Sequence, residues 1–292
     1  MNIKIQLFKF INKALYLLFL SVLLLVITKQ MKNSNQNLRV CICTIGKNEN
    51  RYIREYVEYY KNLGVDKIFL YDNNEKDEEN FNDIIKDYID SNYVEILNWR
   101  GVKKPHFKMV NDCYVRFNNY YDWLIFYDLD EYIHLYHYNN IKSFLNQKRF
   151  DNCKKIYLNW VFHTDNNLIY YQNVSLHERF PEIEPYAIIN KNFTQKVKSI
   201  IRGNISPFII SNSSDTTHII TNSVGGCNAY GKYISLINET QLPNSDSKYY
   251  FIDHYYTKSL DEFIDKIKRG SAVHDKSKVF QFYRIIRYFN NL

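Results

Sequence analysis

The stretch YDWLIFYDLDEYIHL runs from Tyr121 to Leu135. Its first half, Trp123 to Tyr127, is as apolar as any soluble part of the chain, and then Asp128, Asp130 and Glu131 arrive within four residues. A short apolar run of this kind reads as a buried strand. Residues two apart on a strand face the same side, so Asp128 and Asp130 are expected to share a face. Two carboxylates on one face repel each other unless a cation sits between them. Oxygen ligands suit Mg²⁺ or Mn²⁺, ions typically held by one or two carboxylates plus substrate phosphates. The strand then reads as a rigid mount for a metal–phosphate site, where the ion neutralises charge on a leaving diphosphate. A lone D-x-D is a weak signal, and a solvated turn is the plainer alternative. Its place at the end of a core strand gives it weight.

The flanking sequence supplies the rest of the sheet. LRVCICTI (Leu38 to Ile45) is a β-branched apolar run, read as a buried strand. In the following GKNENRYIREYVEYYKNLG, Ile53, Val57, Tyr60 and Leu63 fall at helical spacing, and Gly64 stands where a helix would stop. DKIFLYD (Asp66 to Asp72) is a second strand, FNDIIKDYI a helix, VEILNW a third strand, and a further helix is expected around Phe107 to Phe117. Alternating strands and helices predict a parallel, doubly wound sheet, in which ligands bind beyond the carboxyl ends of the strands. Three strands end there in polar clusters: TIGKNEN, YDNNEKD and YDLDE. From about Lys154 the pattern is less regular. KKIYLNWVFH and KSIIR read as strands, and SLDEFIDKIKRG as a helix with Ser259 as N-cap, Glu262 closing a capping box and Gly270 after its end. No internal repeat or boundary divides the halves, so residues 37–292 are expected to form a single domain.

The 292-residue chain is 46% hydrophobic and 24% charged, which excludes a disordered protein. With Gly 8 and Pro 5, long flexible linkers are not expected. Tyr 27 and Phe 19 are mostly accounted for by core packing, although such rings also line sugar and base sites. The net charge of +7 is scattered, without basic runs or a nucleic-acid-binding motif, so it favours anionic substrates or a membrane surface over DNA or RNA. The five cysteines form no C-x-x-C pair, so a structural zinc site is not expected; their odd number argues against a fully disulfide-bonded framework. Ala14 to Thr28 carries no charge, and extending it through Lys13 to Phe8 makes a span feasible. Lys4, Lys9 and Lys13 precede it and no small-residue cleavage site follows. Residues 1–36 therefore read as an uncleaved signal anchor and short stem, against the rivals of a cleaved signal peptide or an interfacial helix.

KNENRYIREYVEYYKNLGVDKIFLYDNN followed by DWLIFYDLDEYI resembles glycosyltransferase family 92 and related family 2-like enzymes. NWVFHTDNN, HERF, KVKSIIR and DHYYTKSLDEFIDKIKRG also look like family blocks, so the resemblance covers roughly residues 38 to 272. It implies a GT-A fold (Rossmann-like, with a mostly parallel sheet), a nucleotide-sugar donor and a divalent cation, Mn²⁺ or Mg²⁺. Carried over by position, Asp128 and Asp130 would hold metal and diphosphate, with Glu131 a supporting ligand or structural anchor. Asn48, Glu49 and Arg51 follow the first strand, where base and ribose are usually held, and Asp72 ends the second. His106 stands where relatives often have Gln. A late histidine, His254 or His218, would complete the metal shell, with His254 favoured by its place in DHYYTKS. Lys196 and Arg202 are candidates to pair with the diphosphate.

If the family inverts, a carboxylate must deprotonate the acceptor hydroxyl. Asp165 in FHTDNN and Glu178 in HERF are the candidates, and Asp165 is preferred because it follows a strand; Glu178 has the alternative of an ion pair with Arg179. The function implied is transfer of a sugar from a nucleotide-sugar, UDP-galactose foremost, to a glycan, glycoprotein or glycolipid acceptor. The chain would then be a single-pass membrane protein, of Golgi or ER type II orientation in a eukaryote and of the inner membrane or envelope in a bacterium. Two other classes compete. A nucleotidyltransferase normally has a Gly-rich loop after the first strand, where TIGKNEN has one glycine. A non-catalytic protein on the same fold is disfavoured by the intact Glu49, Asp128 and Asp130.

Overall fold

The computed structural model describes residues 16–17, 20–21, 38–184, 194–205, 225–234, 241–243 and 248–270. The chain divides into Met1–Leu38 and Arg39–Leu292, and the fold is that of the second unit. The expected anchor lies almost wholly outside the described residues, among which no helix is long and apolar enough to cross a membrane.

The first half follows the predicted alternation. Strands β1 (Val40–Gly46), β2 (Lys67–Asp72), β3 (Val94–Asn98) and β4 (Trp123–Ile125) are mutually parallel in the order β3-β2-β1-β4. Helices α1 (Asn50–Asn62), α2 (Asn82–Asp90) and α3 (Pro105–Phe117) connect them. Helix α1 buries Ile53, Tyr56, Val57 and Tyr60, the stripe expected from its spacing. Burial on both faces explains the near-continuous apolar runs of β1 and β2.

Beyond β4 the sheet becomes mixed. Strand β5 (Glu131–Leu135) leads through the short α4 (Ile141–Leu145) to β6 (Lys155–Phe162) and the single turn α5 (Leu176–Arg179). Then come β7 (Thr194–Arg202), the short β8 (Gly226–Asn228), β9 (Tyr233–Ile234) and β10 (Gln241–Pro243), β11 (Tyr250–His254) and α6 (Leu260–Arg269). The order continues β4-β7-β6-β11-β5, with β7 antiparallel to both neighbours and β11 parallel to β6. The carboxyl ends of β4, β6 and β11 therefore share one edge.

The passage from β4 to β5 governs the geometry of that edge. Only Phe126–Asp130 separates the two strands, yet β7, β6 and β11 lie between them in the sheet. Four inter-strand steps of about 4.8 Å make roughly 19 Å. The six Cα steps from Ile125 to Glu131 reach about 20 Å only when fully extended, and this segment contains a turn that shortens it well below the required distance. The sheet must curl to let the chain cross, and the curl draws β7 and β11 around the crossing. Gly46 ends β1 against the turn: a Cβ there would stand 2.7 Å from the Phe81 ring and 2.8 Å from Leu129 Cδ1.

Candidate functional site

Asp128 and Asp130 do not share a strand face. Strand β4 stops at Ile125, and the two residues fall in a turn closed by the Glu131 N–H donating to Asp128 O at 3.1 Å. Glu131 fixes this turn from the other side, since its Oε2 accepts the Asp128 N–H at 2.9 Å. Helix α1 supports it from below, with Tyr60 Oη donating to Glu131 O at 2.8 Å. A turn directs successive side chains apart, so each aspartate has its own surroundings.

Asp128 faces α3 and β7. Its Oδ1 is 2.7 Å from His106 Nε2, and its Oδ2 accepts from Lys198 Nζ at 2.7 Å. Lys198 is buried, and Glu131 Oε1 stands 3.4 Å from the same ammonium. Burial pushes the Asp128 carboxyl up, but Lys198 and His106 outweigh it and hold the group well below the ordinary carboxylate range. Burial likewise opposes the Lys198 charge, yet Asp128 and Glu131 raise its affinity for the proton. Glu131 has the opposite fate: burial and the neighbouring aspartates, against Lys198, push it up to about 8. It is an anchor of the turn, the second of its two expected roles.

Asp130 faces β11 and α6. Its Oδ1 is 3.5 Å from His254 Nε2, and its Oδ2 accepts from Lys266 Nζ at 2.7 Å, with Lys258 Nζ at 4.0 Å. Burial pushes this carboxyl up, but Lys266, His254 and Lys258 hold it well below the usual range. His254 is buried and shifted down by desolvation despite Asp130, which favours the neutral, metal-competent imidazole. Register explains the meeting: His254 pairs with Glu131 across β11–β5 and with Phe162 across β11–β6.

The remaining expected residues divide by position. Glu49 is buried at the start of α1 and pairs with Arg269, which also donates to Lys47 O at 2.9 Å. Asn48 is held at φ 53° by its N–H donating to Asn74 Oδ1 at 2.7 Å. The buried atoms Asn48 Oδ1 and Glu49 Oε2 have no hydrogen-bond partner among the described residues. Asp72 accepts from Arg100 Nε and Asn74 Nδ2, both at 2.8 Å, and so organises the turn after β2. Arg51 is exposed, 3.5 Å from Asp265 and over the Tyr171 ring. Asp165 is buried three residues beyond β6 on the carboxylate edge, with Oδ1 accepting the Asn167 N–H at 3.0 Å.

Several expected residues are placed elsewhere. Arg202 lies at the opposite end of β4, over the Trp123 ring and bonded to the carbonyls of Phe150 and Cys153, because β7 runs antiparallel to β4. Lys196 is exposed on β7, and the buried lysine that reaches the aspartates is Lys198. Glu178 is exposed on α5; Arg179 pairs with Glu262 at 2.6 Å instead. His218 lies outside the described residues. Lys198, Lys258, Lys266 and Arg269 are the groups that the sequence reading did not single out. Some signal was present: Lys198 shares a strand face with the apolar Ile200, although the same alternation includes Lys196, which is exposed. Glu262, Lys266 and Arg269 stand at i, i+4 and i+7 on one stripe of α6.

Among the described residues, no three His, Cys, Asp or Glu side chains converge as a metal cage. Asp130 Oδ1 and His254 Nε2 are nevertheless a fitting pair. Their 3.5 Å separation is long for a hydrogen bond. Adjacent ligands about 2.1 Å from one ion stand roughly 3.0–3.4 Å apart, so a shift of a few tenths of an ångström would bring both onto it. Both groups can serve as ligands, one an anionic oxygen and one a neutral imidazole.

The α/β sheet gathers buried carboxylates, imidazoles and ammonium groups at the carboxyl edge of its strands, the edge at which open α/β sheets bind their ligands. The model of glycosyltransferase family 92 matches residues 36–278, and the chain belongs to that family. Relatives include family 92 proteins of Ricinus communis, 33% identical over 97 residues (33% of this chain, 17% of that protein), and of Arabidopsis thaliana, 32% identical over 107 residues (36% and 18%). A family 92 protein of Oryza sativa subsp. japonica is 30% identical over 96 residues, 32% of this chain and 16% of that protein. The matched stretches thus cover under a fifth of these relatives' length. Among solved structures, S. aureus TarS is similar over 84% of this chain and 41% of its own, at 12% identity and a TM-score of 0.37. TarS 1–349 in complex with UDP-GlcNAc covers 84% and 69% at 10% identity and a TM-score of 0.38. Likeness at that level carries no argument about ligand or reaction.

Proposed function

We propose that this protein transfers a sugar from a nucleotide-sugar donor, a UDP-sugar, to a hydroxyl of a glycan acceptor with inversion at the anomeric carbon. Family membership gives the reaction class. The observation that carries the reading here is the buried Asp130–His254 pair, set among lysines at the edge where phosphorylated ligands bind. The donor's base and ribose fit the loop after β1, where Asn48 Oδ1 and Glu49 Oε2 are buried acceptors awaiting N–H or O–H donors. Asp130 and His254 would hold a divalent ion, Mn²⁺ in preference to Mg²⁺ because of the imidazole. When bound, that ion supplies neutralisation of the leaving diphosphate. With two protein ligands, the rest of its shell falls to water and donor phosphate. Lys198 keeps Asp128 ionised and the turn rigid. Asp165, on the same edge, is the proposed base that removes the acceptor's proton. The uncharged run Ala14–Thr28 supports a membrane anchor.

The test is turnover of a panel of UDP- and GDP-sugars by the full-length chain in detergent with Mn²⁺, read as released nucleoside diphosphate. Turnover of one donor class, lost in Asp130→Asn and His254→Ala at unchanged folding, is expected. A well-folded protein that neither binds nor hydrolyses any of them overturns the proposal.

A further inference from the structure

We infer that Lys258, Lys266 and Arg269, contributed by the α6 segment, form the cradle for the donor's diphosphate; the inference rests on the donor reading above. Lys266 Nζ donates to Asp130 Oδ2 and, at 3.0 Å, to Tyr256 O, and it lies 4.1 Å over the Tyr256 ring. Arg269 joins the same cluster to the loop after β1 through Glu49 and the carbonyls of Lys47 and Asn48. Lys258 is the telling member. Its side chain is buried, packed 4.0 Å over the Tyr52 ring, and among the described residues its one carboxylate within ion-pair range is Asp130, at 4.0 Å.

Within ion-pair distance these three cations share two carboxylates, Asp130 and Glu49, while Glu55 acts on Lys258 from farther off. Burying charge is unfavourable unless it is paired, so an excess of buried cation marks a place for an anion. The contrast with Lys198 sharpens this: that ammonium bonds Asp128 at 2.7 Å, with Glu131 at 3.4 Å beside it, and is neutralised within the protein. The unbalanced cations lie between the turn bearing Asp130 and the loop proposed for base and ribose. A nucleotide-sugar places a dianionic diphosphate between its nucleoside and its reacting sugar, which matches this order. Lys266 retains access to solvent, with 22% of its side chain exposed, so an incoming phosphate can reach it.

The experiment is competition binding of UDP, GDP, UMP and uridine to the full-length chain with Mn²⁺ present, comparing wild type with Lys266→Met, Lys258→Met and Lys266→Arg. The expected result is a roughly ten- to hundredfold loss of nucleoside diphosphate affinity in both Met variants, the size of a lost charge-assisted contact. Uridine binding should be unchanged, and Lys266→Arg should recover most of the loss. Should Lys258→Met fail to fold, the partly exposed Lys266→Met still decides the matter. Diphosphate affinity equal to wild type in a folded Lys266→Met overturns the cradle while leaving the donor site standing. Equal losses for uridine and diphosphate also overturn it, since that pattern marks a structural role. Binding of neither UDP nor GDP by wild type removes the donor reading and the cradle with it.

Discussion

The two aspartates of one D-x-D have separate surroundings, and substitution should separate them. Asp128 bonds the fully enclosed Lys198 at 2.7 Å, whereas Asp130 bonds Lys266, which has access to solvent, at 2.7 Å and stands 4.0 Å from the buried Lys258. Asp128→Asn leaves the buried ammonium with Glu131 alone, 3.4 Å away and protonated up to about pH 8, and breaking a buried pair in this way costs about 3–5 kcal/mol. Urea unfolding should show that loss directly. Asp130→Asn should give a smaller stability change but a fall in turnover of roughly 10²–10³, typical of losing one charge-stabilising group. Glu131 adds a pH signature. Its folded pKa near 8 exceeds the ordinary carboxylate value of 4.5, so between those values the native state keeps a proton that the unfolded chain has released. Stability from this group is complete below about pH 4.5 and is lost as pH rises through 8, with a slope of at most about 1.4 kcal/mol per pH unit. Unfolding free energy measured from about pH 5 to 8 should fall more steeply in wild type than in Glu131→Gln, which cannot ionise. Equal slopes would remove Glu131 as the source.

Helix α6 shows what an element does for the site. Ser259 and Glu262 form the capping box, and Glu262 simultaneously accepts from Tyr52 Oη at 2.6 Å and pairs in bidentate fashion with the buried Arg179. One carboxylate thereby joins α6, α1 and α5 and fixes where Lys266 and Arg269 project. Ser259→Ala should cost about 1 kcal/mol, the worth of a cap. Arg179→Met should cost about 3–5 kcal/mol, because Glu262 stays buried without its cation. Denaturant titration distinguishes the two. The cap, the end of α6 at Gly270 and the helical stripe of α1 were legible in sequence because each is a local pattern. The Arg179–Glu262 pair was not, since its partners are 83 residues apart and Glu178 offered Arg179 a nearer carboxylate. The crossing from β4 to β5 was hidden for the same reason. Apolar run and acidic cluster read as one strand, and only the pairing of β5 with distant β11 turns Asp128 and Asp130 into a divergent turn.

Across the whole molecule, the curled sheet holds together segments far apart in sequence, and two cysteine pairs reinforce it. Cys43 on β1 is joined to Cys113 on α3, and Cys153 before β6 to Cys227 on β8, with sequence separations of 70 and 74 residues. Cys41 is the buried free thiol. The odd cysteine count was read against a complete framework, and it is met by two bridges and one thiol left over. Bridges closing loops of this length contribute about 2–4 kcal/mol, mainly by restricting the unfolded chain. Protein purified without reductant and denatured should therefore titrate one thiol per chain, rising to five after reduction. Cys153→Ser/Cys227→Ser should unfold at lower denaturant while the site around Asp130, whose side chains lie on other elements, keeps the nucleotide affinity measured for wild type. Five thiols in the unreduced, denatured protein would show that the sheet stands on packing alone, and the double variant should then be as stable as wild type. One thiol would mean that the chain matures where disulfides form and persist, a setting compatible with the proposed anchored glycosyltransferase facing away from the reducing cytosol.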